Sequence, residues 1–379
     1  MTKTLKTENL DADKIMATNN GNFFEDMVVE ILSKFPVKSL LRFRCVCKSW
    51  YELFESPSFI SKHLKAGNSN TRLILRYVDS SDDPEFPRLR DCLFLDPTLA
   101  NISLEEDLLL LMPIDDHLRG PFEGLFIMFI GGDEIALYNR ATRDLKFLPK
   151  LTLIDNLESI YTIMFGLGLD PKCNYYKLVY IVTYHDSELG EVLNDSRQVF
   201  IYSFSDNSWR NFQGFEFGTY DLNEVLDCTY HNGACHWLVP FGPFHPLCCH
   251  YVILSFDMSD EVFEEIQGPN CLLEISPEHT VFGLYNDSLS FLVFDERESC
   301  FDIWTMKERY HWTKEFSTTP ILAVDAPIGF WKNDTFFIGS NTEELLLYDP
   351  NSEEIIDFQH KGCCFTIFFD KESLFTLKG

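Results

Sequence analysis

Basic residues are scarce in this sequence. The chain of 379 residues holds 31 Lys and Arg against 59 Asp and Glu, which gives a formal net charge of −28 at pH 7. A surface this acidic repels the phosphates of nucleic acids and of anionic membranes, and it attracts basic partners over long distances. We therefore expect no nucleic acid and no membrane among the partners of this protein.

Long apolar runs are also missing. No stretch of 18 or more apolar residues occurs, and the first residues do not contain the apolar core of a secretory signal. We expect a cytoplasmic protein, with the nucleus as an alternative. The twelve cysteines are then interpreted as reduced thiols that fill core space, including Cys45, Cys47, Cys363 and Cys364.

Sequence motifs for catalysis or for metal binding are absent too. The chain has no Walker loop, no HExxH, no GxSxG and no CxxC pair. Gly166 and Gly168 precede Asp170-Pro171 and no helix, so we interpret them as a bulge or turn rather than a phosphate loop. We expect no catalytic residue, no metal and no cofactor.

Residues 23 to 64 show the periodicity of three short helices. Pro36 is expected to end the first helix, the second starts near Ser39, and the third follows Pro57. About 40 residues in three helices bury too little surface to fold alone, so we expect this unit to dock on another polypeptide. The expected apolar positions are Met27, Val28, Ile31, Leu32 and Phe35, then Leu40, Leu41, Phe43, Val46, Cys47 and Trp50, then Phe59, Ile60, His63 and Leu64.

Residues 34–50 carry five bases and no acid inside this acidic chain. A nucleic-acid site is one interpretation, but the bases alternate with apolar residues that do not suit a phosphate-binding face. We favour basic side chains that flank an apolar surface docked on an acidic partner.

After a short Gly-Asn-Ser-Asn linker at residues 67–70, apolar residues recur at every second position, as in β-strands. Short aromatic and β-branched segments alternate with turns, and a loose repeat of roughly 50 residues contains four strands. We align Asn139, Ser203, Asp257, Thr305 and Asp349 as equivalent positions of this repeat. The pattern predicts an all-β domain that is a β-propeller of about five to six blades, although residues 79–118 do not align with the repeat.

Residues 23–64 resemble a plant F-box, through Val29-Glu30-Ile31-Leu32, Phe35-Pro36-Val37-Lys38-Ser39-Leu40 and the run from Arg42 to Trp50. Phe23-Phe24 departs from the Leu-Pro usual in that family. Residues 119–128, 137–149, 165–181 and 328–334 resemble the F-box-associated domain, which is similar to kelch propellers. The implied organisation is a flexible segment at 1–22, a three-helix F-box at 23–66 and a propeller at 67–379.

The resemblance implies docking on a Skp-family adaptor, and through it on a cullin and a RING subunit. The adaptor-docking set implied by the F-box match is Met27, Val28, Ile31, Leu32, Pro36, Leu40, Leu41, Val46, Lys48 and Trp50. For each apolar residue of this set the alternative is packing inside the three helices, and Pro36 is also explained as a helix stop.

The propeller is then expected to bind a protein target through its loops, because loops vary while strands are buried. The chain looks most similar to the S-locus F-box group, which implies a basic pistil ribonuclease as target in self-incompatibility. Alternatives are another plant F-box receptor, a non-degradative scaffold bound to the adaptor, and a propeller enzyme. The expected target-binding residues are Asp79, Asp82, Asp83, Asp115, Asp116, Asp186, Glu188, Glu191 and Asp195, each of which is also explained as part of a solvated loop.

Overall fold

A computed structural model gives the fold of this chain. It describes residues 26–377 apart from 67–71, 80–87, 95–101, 104–116, 123, 131–133, 152–160, 186–191, 218–227, 242–249, 274–278, 309 and 333.

The helical unit, residues 26–66, has four helices rather than three. They are α1 (residues 26–32), α2 (Val37–Phe43), α3 (Lys48–Glu55) and α4 (Pro57–Ala66). The prediction of one helix from Ser39 to Trp50 was wrong, because Cys47 has an extended backbone with φ −158° and ψ 164°. Cysteine and valine are weak helix formers, and they fill the break between α2 and α3.

The remainder is all β, as predicted. The strands are β1 (Arg72–Asp79), β2 (Arg88–Phe94), β3 (Ile102–Ser103), β4 (His117–Phe122), β5 (Leu125–Ile130), β6 (Glu134–Asn139), β7 (Asp144–Phe147), β8 (Tyr161–Leu169), β9 (Tyr176–His185), β10 (Val192–Ser203), β11 (Ser208–Phe212), β12 (Thr229–His231), β13 (Ala234–Phe241), β14 (His250–Asp257), β15 (Phe263–Gln267), β16 (Thr280–Tyr285), β17 (Ser288–Asp295), β18 (Cys300–Glu308), β19 (His311–Ser317), β20 (Val324–Phe330), β21 (Phe336–Ser340), β22 (Glu344–Asp349), β23 (Glu354–Lys361) and β24 (Cys363–Asp370). A 3₁₀ turn covers Asn270–Leu273.

In the described residues these strands form six antiparallel sheets of four strands, which confirms a propeller of five to six blades. Blades 2 to 6 take consecutive strands from β4 to β23. Blade 1 has the order β24-β1-β2-β3, so the last strand of the chain pairs with the first and closes the ring. Residues 79–118 did not align with the repeat because blade 1 is divided between the two ends of the propeller sequence.

Neighbouring blades contact each other through their first strands. The contacting pairs are β24 with β4, β8 with β12, β12 with β16, β16 with β20 and β20 with β24. Blades 2 and 3 meet through Phe129 and Phe165, whose ring centroids are 5.5 Å apart. The second strands are buried on both faces, as in β17, whereas the outermost strands such as β19 are mainly exposed. Face-to-face packing of blades explains this gradient.

Two details of the repeat differ from prediction. Gly166 and Gly168 lie within β8, whose register with β9 is regular, so a bulge or turn there was wrong. A Cβ on Gly166 would lie 2.6 Å from the Trp237 ring, so these glycines permit close packing of blades 3 and 4. Thr305 is not equivalent to Asn139, because β18 continues to Glu308 before its turn.

The cysteines are less buried than predicted. Cys235 is buried, but Cys45, Cys47, Cys363 and Cys364 are exposed, so their assignment to the core was wrong. Cys45 and Cys47 lie at the break between α2 and α3, and Cys364 has a positive φ within β24. Among the described helices, none is long and apolar enough to cross a membrane.

Candidate functional site

The antiparallel order of every blade defines two ends of the propeller. At one end, connections join the first strand of a blade to the second and the third to the fourth. At the other end, they join the second to the third and the fourth to the next blade. The helical unit contacts the end at which the first strand connects to the second, and we call this the helix end. We call the opposite end of the propeller the acidic end.

A chain of aromatic contacts forms the interior of the helical unit. Trp50 packs on Phe43 and Phe54, with ring centroids 5.6 and 6.1 Å apart, and Phe54 packs on Phe59 at 5.2 Å. His63 continues this chain, and its Nε2 lies 2.9 Å from the Phe35 carbonyl oxygen. Burial lowers the pKa of His63, so it is neutral near pH 7. The predicted burial of the α4 residues Phe59, Ile60, His63 and Leu64 is confirmed.

The outer surface of the helical unit is unusually apolar. Five of the fourteen large exposed apolar side chains in the described part of the chain lie between residues 26 and 55. Scattered single apolar residues are ordinary on a surface, but this density indicates an interaction site. Their exposed fractions are Met27 47 %, Ile31 54 %, Phe35 37 %, Val46 63 % and Tyr51 53 %.

The residues that the sequence implied for adaptor docking divide by burial. Leu32 and Leu40 are buried inside the unit, and Val28, Leu41 and Trp50 are half-buried. The exposed members are Met27, Ile31, Pro36, Val46 and Lys48. Sequence reasoning did not place Phe35 and Tyr51 in the docking set, although both are large, apolar and exposed.

A shared hydrophobic core joins the helical unit to the propeller. Buried Val37, Leu40 and Phe54 belong to the same cluster as Leu125 of blade 2 and Tyr176 of blade 3. The last described residues of the chain, 371–377, contribute to this cluster through Leu374 and Leu377. The helical unit therefore covers much of its apolar surface with its own chain rather than with a partner.

Polar contacts at this junction also come from residues 371–377. The Val37 N–H donates to Glu372 Oε2 over 3.0 Å, which satisfies a free N–H at the start of α2. Glu55 accepts from Thr376 Oγ1 at 3.0 Å and pairs with Arg44 at 3.0 Å. No sequence motif marks this junction. The only signal in the sequence was the presence of apolar Leu374, Phe375 and Leu377 after the last strand.

The acidic end differs sharply in charge from the helix end. The connections at the acidic end hold 23 acidic and two basic residues. Those at the helix end, with the residues after β24, hold ten acidic and seven basic residues. By sequence, most of the acidic residues in the connections therefore belong to those that join strand ends away from the helical unit. An excess of negative charge of this kind attracts basic partners.

Two of the nine residues expected to bind a target lie in described strands. Asp79 is the last residue of β1, and Asp195 lies near the start of β10. The other seven lie outside the described residues: Asp82, Asp83, Asp115, Asp116, Asp186, Glu188 and Glu191.

A buried ion network connects blades 3 and 4 at the helix end. Lys177 Nζ lies 2.8 Å from both Asp170 Oδ2 and Glu261 Oε1, and it donates to the Met258 carbonyl at 2.6 Å. Burial opposes ionisation of Asp170, but hydrogen bonds from Lys177 and Ser259 hold its pKa well below the usual value. Both partners stay charged near neutral pH, so the network joins blades and does not exchange protons.

His236 of β13 is the most perturbed histidine among the described residues. It is 6 % exposed, and its Nδ1 has no hydrogen-bond partner in the part of the chain that the structure describes. Burial, together with nearby His231, lowers the pKa of His236 to about 4. Within the described ranges, no three His, Cys, Asp or Glu side chains converge as metal ligands.

Two models of known protein families match separate parts of the chain. A model of the F-box domain matches residues 22–62, and a model of the F-box associated beta propeller domain matches residues 114–375. F-box protein CPR1 of Arabidopsis thaliana is 24 % identical, covering 89 % of this chain and 84 % of its own. F-box/kelch-repeat protein At3g23880 of the same plant is 26 % identical, covering 82 % of each chain.

A solved oligogalacturonate lyase in complex with manganese is similar over 75 % of this chain and 73 % of its own, at 9 % identity and a TM-score of 0.42. That similarity is too weak to bear on function. The F-box match covers the helical unit, and the propeller match covers more than half of the sequence. The chain therefore belongs to the F-box proteins that carry an F-box associated β-propeller domain, a family of substrate receptors.

Proposed function

We propose that this protein is the substrate-recognition subunit of an SCF-type ubiquitin ligase. The observation that carries the proposal is the separation of its two surfaces. Exposed apolar residues cover the helical unit at one end of the propeller, and the acidic connections lie at the other. One end suits a permanent docking partner, and the other suits a charged target.

The adaptor-docking surface consists of the exposed apolar residues of the helical unit. Met27 and Ile31 are four residues apart on α1, so they lie on the same helix face. Burying one such side chain stabilises a complex by about 1.5–3 kcal/mol. The exposed Lys34, Lys38 and Lys48 add positive charge for an acidic Skp-family adaptor. Leu32, Leu40 and Trp50 support this surface from inside.

The target is proposed to be a basic protein that binds at the acidic end. Its association would be accelerated by long-range attraction and would slow as salt screens the charges. The resemblance to the S-locus group makes basic pistil ribonucleases, and a role in self-incompatibility, the first candidates to test.

The proposed mechanism is catalysis by proximity. The adaptor links the receptor to a cullin and a RING subunit, which hold the ubiquitin-loaded enzyme. The propeller holds a target lysine near that enzyme, so the effective concentration of the reacting groups rises. The receptor itself then needs no nucleophile.

Reconstitution with a Skp-family adaptor, a cullin and a RING subunit tests this proposal. We expect the full chain to bind the adaptor and to bring the cullin into the same complex. Adaptor binding without cullin recruitment would instead support the non-degradative scaffold, and failure to bind the adaptor would refute both.

A further inference from the structure

Residues 371–377, which we call the C-terminal strap, lie between the helical unit and the propeller. Gly124 of blade 2 adjoins the strap, and a Cβ at this position would lie 2.7 Å from Ser373 Cβ. Phe375 packs on Tyr176 and Phe204 of blade 3, with ring centroids 4.6 and 5.2 Å apart. The strap thus passes from blade 1 across blades 2 and 3.

Asn139, at the end of β6, holds the strap by its backbone. Its Nδ2 donates to the carbonyl oxygens of Ser373 at 3.0 Å and Phe375 at 2.8 Å. Its Oδ1 accepts from the Ala141 N–H at 2.9 Å and so also caps the turn that follows. Asn139 is completely buried, and its bond to the Ser373 carbonyl is shielded from water.

Equivalent positions in other blades explain why this residue is asparagine. Asp257 ends the third strand of blade 4, and its Oδ1 caps the next turn by accepting from Ser259 and Asp260. Asp349 does the same in blade 6 by accepting from Asn351. A carboxylate is enough to cap a turn, but it cannot donate. Blade 2 has an amide at the position where the strap's carbonyls must also be bound.

The other side of the strap binds the helical unit. Glu372 accepts from the Val37 N–H, Leu374 and Leu377 enter the shared core, and the Leu374 carbonyl accepts from Arg44 Nη2 at 3.4 Å. The same seven residues therefore contact both parts of the molecule.

We infer that the C-terminal strap, clamped by the positioning residue Asn139, holds the F-box in a fixed orientation on the propeller. This inference rests on the proposed function, in which the orientation sets where a bound target meets the ubiquitin-loaded enzyme. Loosening the strap would leave the adaptor surface intact, but it would let the acidic end move relative to the ligase.

Asn139→Asp removes the hydrogen bonds to the strap but leaves the cap of the following turn in place. The variant keeps Oδ1 for the turn, but it replaces the donating Nδ2 with an oxygen that repels both strap carbonyls. Asn207→Asp is the matched control, because Asn207 lies in the corresponding turn of blade 3 and uses only Oδ1, as acceptor from the Tyr202 hydroxyl at 2.7 Å. Phe375→Ala loosens the strap without any change of charge.

Hydrogen exchange of the free full-length chain gives the first measurement. Loss of two buried hydrogen bonds should accelerate exchange in residues 371–377 by about tenfold or more in Asn139→Asp. Phe375→Ala should act in the same direction, while Asn207→Asp and the strands β9 and β14 should match the wild type. Exchange within about twofold of wild type in both strap variants would overturn the inference.

The reconstituted ligase gives the second measurement, by mass spectrometry of the lysines ubiquitinated on the receptor itself. Asn139→Asp should bind the adaptor with unchanged affinity and be modified at more lysines than wild type or Asn207→Asp. An unchanged set of lysines, despite faster exchange, would show that the strap anchors without positioning and would overturn the inference. A wild-type chain that does not bind the adaptor would refute the proposed function and leave the exchange result intact.

Discussion

The two ends of this propeller connect strands of the same sheets, yet their connections differ in length and in charge. At the helix end, glycine, asparagine and aromatic side chains bind the strap and the helical unit, and the charges nearly balance. At the acidic end, the connections are long, and acids outnumber bases 23 to two. Like charges this dense destabilise a fold through repulsion, so the stability of the fold does not explain them.

This difference separates the part of the molecule that contributes to stability from the part that we propose for recognition. The helix end contributes buried area and satisfied hydrogen bonds, which make the helical unit part of the folded propeller. The acidic end consists of connections between strands, and such loops tolerate changes of sequence more readily than the strands they join. Variants at the two ends should therefore differ in what they affect.

The largest expected effect is on stability at the helix end. Leu374 is completely buried between the two parts of the chain, so Leu374→Ala should lower the free energy of unfolding by about 2–5 kcal/mol. Leu322→Ala is the control, because Leu322 is 82 % exposed and its truncation should cost less than about 0.5 kcal/mol. Chemical denaturation measures both, and equal midpoints would contradict the shared core.

Acid should also weaken the helix end. His236 has a folded-state pKa of about 4, below its ordinary value of 6.5, so the unfolded chain binds its proton first as pH falls. Stability should therefore decline by about 2 kcal/mol between pH 6.5 and 4.5. The decline should shrink in His236→Asn and persist in a variant of exposed His311. The lowered pKa of Asp170 matters only at lower pH, because the stability it contributes is lost only as pH falls below its ordinary value of 3.8.

Adaptor affinity should depend on the outer face of the helical unit. Ile31→Asp removes an exposed apolar contact and adds a charge, and we expect about 30-fold weaker adaptor binding, or about 2 kcal/mol. Leu322→Asp makes the same change on an exposed site of the propeller and should bind like wild type. Titration calorimetry with unfolding controls tests this pair, and equal affinities would exclude Ile31 from the docking surface.

The smallest effect is expected at the acidic end. Changing Asp82 and Asp83 to Asn should slow association of a basic ribonuclease by about threefold to tenfold at low salt, without changing stability. The matched change at the helix end, Asp206→Asn with Glu353→Gln, should have a weaker effect. Stopped-flow measurements over a salt series give the association rates of both double variants. Equal rates for the two variants would contradict the charge argument.

The sequence predicted the fold better than it predicted the site. The period-two segments and the recurring turns predicted the all-β propeller with about five to six blades. They did not give the closure of blade 1, because strand pairing between Arg72 and Asp370 leaves no local pattern. The break at Cys47 was missed because apolar spacing alone does not separate one helix from two.

The candidate site was predicted in outline. Met27, Ile31 and Val46 were named from the F-box match and are exposed, but the sequence did not show that Leu32 and Leu40 face inward. Burial of this kind depends on the propeller that the helical unit packs against. The contact between the strap and Asn139 could not be predicted from the sequence, because the two partners are more than 200 residues apart.

The most direct test of the account is cross-linking of the native complex with a carbodiimide, which joins carboxylates to amines at contact. The account predicts links from adaptor acids to Lys34, Lys38 or Lys48, and links from target lysines to acids such as Asp82, Asp116 or Glu188. Target links confined to the helix end, or adaptor links at the acidic end, would contradict it.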